Sequence, residues 1–168
     1  MVGFGISGAF TSQYKQKDGG DLHIYLYQAC DTSDGGKCEM YDKPASDSCE
    51  RQVYDRFITA FALSIVGSIL GVAVVVVSLV GTCRRVPGLA AILIDMLCAA
   101  CFIIAFCIVI NLYTVEFCPN NSAVTTEYSK YFEFDMGFPF LVVAAFLALL
   151  CIVLHAVTCG PSHHKSYA

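Results

Sequence analysis

The sequence predicts an all-α membrane bundle with a small extracellular β-rich domain. The first observation is composition: the chain is 57% hydrophobic and 14% charged, whereas a soluble domain is about half apolar and about a quarter charged. The second is that the charged residues are confined to segments between long apolar runs. The third is that three cysteines lie in the polar segment 14–56, before the first apolar run. The net charge of −4 comes without clustered Lys and Arg, which argues against a nucleic-acid partner.

The apolar runs predict transmembrane helices at 57–82, 89–115 and 137–159. The first run contains no Asp, Glu, Lys or Arg, and the second contains only Asp95. Each run exceeds the roughly 20 residues that a helix needs to cross about 30 Å of hydrocarbon, and a buried helix of a soluble protein has a shorter run. The expected surroundings of these helices are therefore membrane lipids.

Two arginines in the short loop 83–88, Arg84 and Arg85, determine the predicted orientation. The positive-inside rule places such a loop in the cytoplasm. Residues 1–56 and 116–136 are then extracellular, the tail 160–168 is cytoplasmic, and the expected location is the plasma membrane. Asn120 begins an N-glycosylation triplet, which agrees with this orientation because the acceptor is used only on an extracellular or lumenal surface.

The N-terminal segment 1–13 is apolar but too short to span a membrane, and it lacks the basic start of a signal peptide. We expect it to be the remnant of a first transmembrane helix whose beginning is absent from the sequence. The alternative is a flexible N-terminus, with the first complete span driving translocation of the polar segment.

The extracellular segment predicts a β-hairpin with one cysteine in each arm. Asp21–Cys30 alternates polar and apolar side chains and is rich in β-forming residues, which predicts one strand. A glycine-containing turn follows, and Lys37–Tyr41 predicts the return strand.

Four cysteines are extracellular in this topology, an even number in an oxidising compartment. Three connectivities are open. We expect a bridge between Cys30 and Cys38, and this leaves Cys49 and Cys118 to join the two extracellular segments.

The other six cysteines lie in or beside the spans. Those within the spans are expected to remain reduced and to pack as small apolar side chains, namely Cys98, Cys101, Cys107 and Cys151. Cys83 and Cys159 flank spans on the cytoplasmic side, where a thiol is either palmitoylated or unmodified.

Small residues on the first span predict close helix packing, because they let two backbones approach each other. This small-residue stripe consists of Ser64, Gly67, Ser68 and Gly71. We expect its contacts to lie within the bundle, and the alternative is contact with another subunit.

Three polar side chains lie inside the spans near their cytoplasmic ends: Ser78, Asp95 and His155. An ionisable group in the membrane is costly, which makes it a candidate functional residue. The three positions are at comparable depth, so the side chains can meet in the bundle. An Asp95–His155 pair would pass protons, or it would form a structural hydrogen bond. Snorkelling of the carboxylate towards the basic loop is a further structural alternative.

Tyr and Phe collect where the spans meet the extracellular segments, which predicts an aromatic belt at the lipid headgroups. Its members are Tyr54, Phe57, Tyr113, Phe117, Tyr128, Tyr131, Phe132 and Phe134.

The sequence contains no motif for catalysis, cofactor binding or metal binding. It lacks a nucleophile–base motif, a phosphate-binding glycine loop and an H-E-x-x-H helix. His163 and His164 are adjacent, but no further ligand type lies near them in the tail. We therefore expect a protein that is not an enzyme and that binds no cofactor.

The order of these elements resembles the claudin-like tetraspan superfamily, and more closely the amastins, surface glycoproteins of trypanosomatid parasites. The amastin signature runs Cys, apolar, Ser or Thr, apolar, aromatic, Gly, any, basic or Gln, any, polar, Cys. The segments 49–62, 118–119 and 137–144 also resemble amastin segments at the second and fourth spans. The matching signature positions are Cys30, Thr32, Gly35 and Lys37, and the departures are Asp31, Ser33, Asp34 and a Cys38 that arrives two positions early.

This resemblance implies a claudin-like tetraspan topology whose first helix is missing or truncated. It also implies a non-enzymatic surface protein that displays its extracellular domain for adhesion or lateral assembly, as a homo-oligomer or with other membrane proteins. The alternative is an accessory subunit of a larger membrane complex, such as a channel, a transporter or an organellar assembly, that affects ion or proton traffic.

Overall fold

The computed structural model describes residues 1–17, 20–33, 36–42, 44, 49–83, 88–115 and 128–158. The helices are α1 (Val2–Phe10), α2 (Cys49–Cys83), α3 (Gly88–Thr114), α4 (Tyr128–Tyr131) and α5 (Gly137–Thr158). The strands are β1 (Tyr14–Gln16), β2 (Leu22–Ile24), β3 (Gln28–Asp31), β4 (Lys37–Met40) and β5 (Phe132–Phe134).

Three of the described helices are long and apolar enough to cross a membrane, which confirms the predicted membrane helical protein with a β-rich part. The qualifying stretches are Arg51–Leu79, Ala90–Thr114 and Gly137–Val157. A helix satisfies its backbone polar groups within the segment, as hydrocarbon requires. In the bundle, α3 packs against both α2 and α5. The bundle therefore has a sheet end, where α2 and α5 begin and α3 ends, and an opposite far end.

Helix α2 begins at Cys49, before the predicted start of the first span at residue 57. The added turns are polar, and Arg51 donates to the carboxylate of Asp55 four residues later, at 3.0 Å. Such i,i+4 pairs stabilise exposed helix turns. The helix therefore continues out of the apolar region towards the sheet.

The short helix α1 packs against α2 and α5. Glycines let α1 lie close to the bundle: a Cβ atom on Gly5 would lie 2.4 Å from the Phe102 ring on α3, and one on Gly8 would lie 2.9 Å from Leu141 on α5. The helix ends at Phe10, because Thr11 has extended backbone angles. The expectation that α1 is the remnant of a longer helix stays a prediction.

The five strands form one antiparallel sheet in the order β4-β3-β2-β1-β5. Strand β5 comes from the segment before α5, and it pairs with β1 through Tyr14–Phe134 and Gln16–Phe132. Strand β5 was not among the strands predicted from the sequence. The sheet consequently joins the segment after α1 to the segment before α5, two regions far apart in the chain.

The prediction of one strand over Asp21–Cys30 was wrong, because the chain reverses in this segment to form β2 and β3. The Tyr25 N–H donates to the Gln28 carbonyl at 2.9 Å, which closes the turn. Leu26, within the turn, is fully buried. Alternating polarity continues through the reversal, so the pattern alone does not reveal it. Strand β4 agrees with the predicted return strand to within one residue.

A cluster of aromatic rings, the aromatic junction, lies between the sheet and the helices with Tyr14 at its centre. Tyr14 is fully buried, and its ring centroid lies 5.4 Å from that of Tyr128 and 5.8 Å from that of Phe134. Phe57 and Tyr113 complete the junction. Several rings predicted to face the lipid headgroups are therefore in the interior. Aromatic pairs gain energy from mutual contact beyond the area that they bury, which favours this arrangement.

Candidate functional site

A disulfide joins Cys30 on β3 to Cys38 on β4, the strand at one edge of the sheet. These residues are directly paired across the hairpin, and their Cα atoms are 4.0 Å apart. The predicted Cys30–Cys38 bridge is thus confirmed. Cys30 is buried whereas Cys38 is exposed, so the bridge holds an exposed strand to the interior of the sheet. A covalent loop of this size stabilises a fold by roughly 2–3 kcal/mol in the chain-entropy model.

Strand β4 lies at one edge of the sheet, and all four of its residues are exposed. Met40 is the most exposed large apolar side chain in the described part of the chain, at 78%. A strand at a sheet edge presents backbone N–H and C=O groups that no neighbouring strand of the sheet bonds. This edge therefore has the geometry to receive a strand from another molecule.

Asp135 connects three elements at the sheet end of α5. Its carboxylate accepts hydrogen bonds from the Ser12 hydroxyl and, at 3.1 Å, from Nδ1 of His23 on β2. The backbone N–H of Met136 also donates to it, at 2.8 Å. Burial acts to raise the pKa of Asp135, but these hydrogen bonds outweigh burial and lower it.

Asp135 was not among the site residues predicted from the sequence, although one signal was present. An Asp just before an apolar helical run is typical of a helix N-terminus, where its oxygen accepts from backbone N–H groups. No local pattern identifies Ser12 or His23 as its partners, because the contacts span more than 100 residues of sequence.

At the far end of the bundle, Ser78, His155 and Asp95 form a hydrogen-bonded series that we call the inner polar chain. Nε2 of His155 lies 3.1 Å from Oγ of Ser78, and Nδ1 lies 2.5 Å from Oδ2 of Asp95. Asp95 is fully buried, and its Oδ1 has no hydrogen-bond partner among the described residues. The structure thus brings together the three intramembrane polar residues singled out in the sequence, one each from α2, α3 and α5.

The small-residue stripe on α2 faces its neighbours within the chain. A Cβ atom on Gly67 would lie 3.1 Å from the Phe102 ring on α3, and one on Gly71 would lie 2.9 Å from Val2 on α1. The hydroxyls of Ser64 and Ser68 are buried and donate to α2 carbonyls one turn earlier, each at 2.8 Å. The geometry therefore corresponds to packing within the bundle.

An apolar groove of about 370 Å³ lies between α2 and α3 towards the sheet end. Arg56 lies on its wall and donates a hydrogen bond to Oδ1 of Asn111. Its other lining residues are Ile103, Ile104, Cys107 and Ile108. The sequence analysis did not predict this groove.

Several predicted site residues lie outside the described part of the chain. These are Arg84, Arg85, Cys118, Asn120, Cys159, His163 and His164, together with the side chains of Cys49 and Cys83. The Cys49–Cys118 bridge, the glycan on Asn120 and palmitoylation of Cys83 and Cys159 stay predictions. Among the described residues, no group of three or more His, Cys, Asp or Glu could hold a metal ion.

One comparison with known proteins identifies the family. The sequence model of the amastin surface glycoprotein family matches residues 2–154. This match covers α1, the whole sheet, the three long helices as far as Leu154, and Ser78 and Asp95 of the inner polar chain. A comparison with curated proteins produced no match.

Proposed function

The chain belongs to the amastin surface glycoprotein family, and on this premise we propose that it displays its five-stranded sheet outside the plasma membrane for contact with other membrane proteins. Three membrane-length helices support the membrane location, and the family description supports a place at the surface. The proposed contact is lateral, between neighbouring chains, or in trans between membranes.

The observation that carries this proposal is the exposed edge strand β4, held by the Cys30–Cys38 disulfide. Its backbone can bond an extended segment of a partner, which is the strand-addition mode of recognition. Strand β4 presents one large apolar side chain, Met40, beside the charged Lys37 and Glu39. Met40 offers a partner apolar contact, and the two charges favour a partner strand with complementary charges.

The partner expected here is a second copy of the chain or another membrane protein. Two copies related by a twofold axis can join their β4 edges, because an isologous interface uses the same patch on both subunits. The disulfide favours such an interface, since a strand that is already ordered loses less entropy on binding.

Site-specific photo-crosslinking in intact cells tests this proposal. A photoreactive amino acid at Met40 is expected to give a crosslinked product, whereas the same group at Gln16 is expected to give little. Gln16 is the matched control, because it is exposed in the same sheet but lies on the interior strand β1. Equal crosslinking at the two positions, or none at Met40, would contradict edge-strand recognition.

The intact mass of the crosslinked product identifies the partner. A product of twice the chain mass supports assembly of identical copies. A different subunit in fixed proportion supports the alternative, an accessory subunit of a larger membrane complex. A glycan on Asn120 in the same sample would independently support exposure of the sheet outside the cell.

A further inference from the structure

The inner polar chain has the atom order of a nucleophile, its base and the carboxylate that orients the base. We propose that Ser78 is a nucleophile for acyl transfer from carboxylic esters of membrane lipids, with His155 as the general base and Asp95 as a positioning residue. This activity is separate from the proposed display role of the sheet, and it places chemistry at the opposite end of the bundle.

The geometry of the three side chains supports these roles. A hydroxyl and its base need to lie within about 2.6–3.2 Å, and the Ser78 Oγ to His155 Nε2 distance is 3.1 Å. Nδ1 of His155 lies 2.5 Å from Oδ2 of Asp95, and in the tautomer that we assign it donates a hydrogen bond to this carboxylate oxygen. With the proton on Nδ1, the lone pair on Nε2 is available to accept the Ser78 proton.

The burial of Asp95 strengthens this assignment. Its carboxylate is fully buried, and Oδ1 has no hydrogen-bond partner in the described part of the chain. The hydrogen bond with His155 stabilises the carboxylate through its other oxygen, Oδ2. A buried carboxylate in this position holds the imidazole in one tautomer and stabilises the imidazolium that forms during reaction.

A serine, a histidine and an aspartate also meet at the sheet end of the bundle, but they are not connected in this order. There the Ser12 hydroxyl and His23 both bond Oδ2 of Asp135 directly, and the described residues show no hydrogen bond from the hydroxyl to the histidine. Only the inner polar chain, among the described residues, joins a serine hydroxyl to a histidine that is itself bonded to a carboxylate.

The position of the inner polar chain indicates the substrate class. Ser78 lies five residues before the end of α2 and His155 three before the end of α5, which is about 8 Å and about 5 Å along the helices. Both side chains thus lie near the end of the bundle that the sequence predicts to be cytoplasmic. Leu79 and Leu154, the sequence neighbours of Ser78 and His155, are apolar and exposed, as is Val157. We therefore expect an apolar ester to arrive laterally from the lipid.

The reaction uses only the ester and water. Oγ of Ser78 attacks the ester carbonyl carbon while its proton moves to Nε2 of His155. The bond from that carbon to the alcohol oxygen breaks, and the alcohol leaves with the proton from Nε2. Water then attacks the acyl carbon on Ser78 while its proton moves to Nε2 of His155. The bond from that carbon to Oγ breaks, Oγ takes the proton back from Nε2, and a carboxylic acid is released.

We expect the inner polar chain to hydrolyse esters slowly. Backbone N–H groups within a helix are already bonded to carbonyls one turn earlier, so helix α2 does not offer an oxyanion hole at Ser78. The loss of one oxyanion donor lowers turnover by about 10²–10³ in established serine hydrolases. We therefore test the nucleophile by covalent labelling, which needs a single event for each molecule.

The labelling experiment uses the full chain in lipid nanodiscs and a fluorophosphonate probe with a long alkyl chain. Peptide mass spectrometry is expected to find the phosphonate on Ser78, and Ser78→Ala is expected to abolish it. His155→Gln should slow labelling at least about tenfold, since general-base catalysis contributes about 10²–10⁴. Ser68→Ala is the matched control: Ser68 lies on the same helix, its hydroxyl donates to a helix carbonyl, and labelling of Ser78 should be unchanged.

The wild-type protein alone can overturn the proposal. If folded wild-type chain shows no adduct on Ser78 while a serine hydrolase added to the same nanodiscs is labelled, the inner polar chain is a structural contact only. If Ser78 is labelled as fast in His155→Gln as in wild type, His155 is not the general base. Neither result bears on crosslinking at Met40, so this proposal and the proposed function fail independently.

The positioning role of Asp95 has a spectroscopic test. In ¹⁵N-histidine-labelled wild type, His155 is expected as the tautomer with a proton on Nδ1, with a downfield proton signal from its bond to Asp95. Asp95→Asn should lose this signal and slow labelling, whereas Ser78→Ala should retain it. An unchanged His155 spectrum in Asp95→Asn would refute the positioning role.

Discussion

The hydroxyl of Tyr14 donates a hydrogen bond to the backbone carbonyl of Val109, with the two oxygens 2.5 Å apart. This contact joins the first strand of the sheet to α3, a membrane-spanning helix. Burial raises the pKa of Tyr14, and it raises that of Tyr128 to about 12, so both hydroxyls stay protonated at neutral pH and Tyr14 can donate. A side chain at the centre of the aromatic junction thus helps to hold the sheet against α3.

Tyr14→Phe is expected to destabilise the protein by about 0.5–1.5 kcal/mol, because it removes one buried hydrogen bond while the ring contacts remain. Thermal unfolding in detergent, followed by circular dichroism, measures the change. Tyr131→Phe is the control, since Tyr131 is 57% exposed, and it should change stability by less than about 0.5 kcal/mol. Equal effects of the two substitutions would argue against a role for the Tyr14 contact.

Gly5→Ala is expected to destabilise the packing of α1 by about 1–3 kcal/mol, since the added carbon would overlap the ring of Phe102 and overpacking costs energy. Gly3→Ala provides the control on the same helix, because no atom lies within 4 Å of a Cβ there. Alanine is favoured over glycine in a helix by up to about 1 kcal/mol, so Gly3→Ala should be neutral or stabilising. The measurement is the free energy of unfolding of each variant in the same detergent. A stabilising effect of Gly5→Ala would contradict the observed packing.

Acid should weaken the attachment of the sheet to α5 through Asp135. Its folded pKa is lowered, so the carboxylate contributes stability above its unfolded pKa of about 3.9. That contribution is lost as the pH falls through the lowered folded value. Unfolding measured from pH 7 down to pH 2 should show this loss in wild type.

Asp135→Asn should be less stable than wild type at neutral pH and should depend less on pH below about 4. Ser12→Ala removes one hydrogen bond but keeps the carboxylate, so it should retain a smaller acid dependence. An Asp135→Asn variant with the same acid dependence as wild type would show that another group is responsible.

The predicted orientation has a chemical test. After reduction of intact cells, a membrane-impermeant thiol reagent should label Cys30 and Cys38 but not Cys83. Cys38 is exposed, so it should react first. Labelling of Cys83 from outside would reverse the orientation inferred from Arg84 and Arg85.

Some features of the sheet were predictable from sequence patterns and others were not. The spacing of Cys30 and Cys38 around a turn predicted their bridge, because the two residues are close in the chain and pair in one hairpin. The reversal at Tyr25–Tyr27 was not predictable from polarity, since the alternation is the same on both sides of it. Strand β5 was missed because three residues contain too little pattern, and its pairing with β1 depends on where α5 begins.

The candidate sites were also predictable from the sequence only in part. Ser78, Asp95 and His155 were recognisable singly, because a polar residue stands out within an apolar run. Their order in the inner polar chain depends on the rotation and depth of α2, α3 and α5. No local sequence pattern predicts the rotation or the depth of a helix. The hydrogen bonds of Asp135 likewise depend on contacts between distant segments. The same is true of the hydrogen bond between Arg56 and Asn111 in the groove.

The sequence by itself determined the membrane-spanning helices, the hairpin disulfide and the family, because each depends on residues close together in the chain or on a pattern along its length. Tertiary structure alone decided that the aromatic rings form an interior junction and that β5 extends the sheet. It also decided that a serine, a histidine and an aspartate meet in the order of a nucleophile, a base and a positioning carboxylate. The physical reason is that hydrogen bonds and ring contacts require positions within a few ångströms, and helix packing sets these positions.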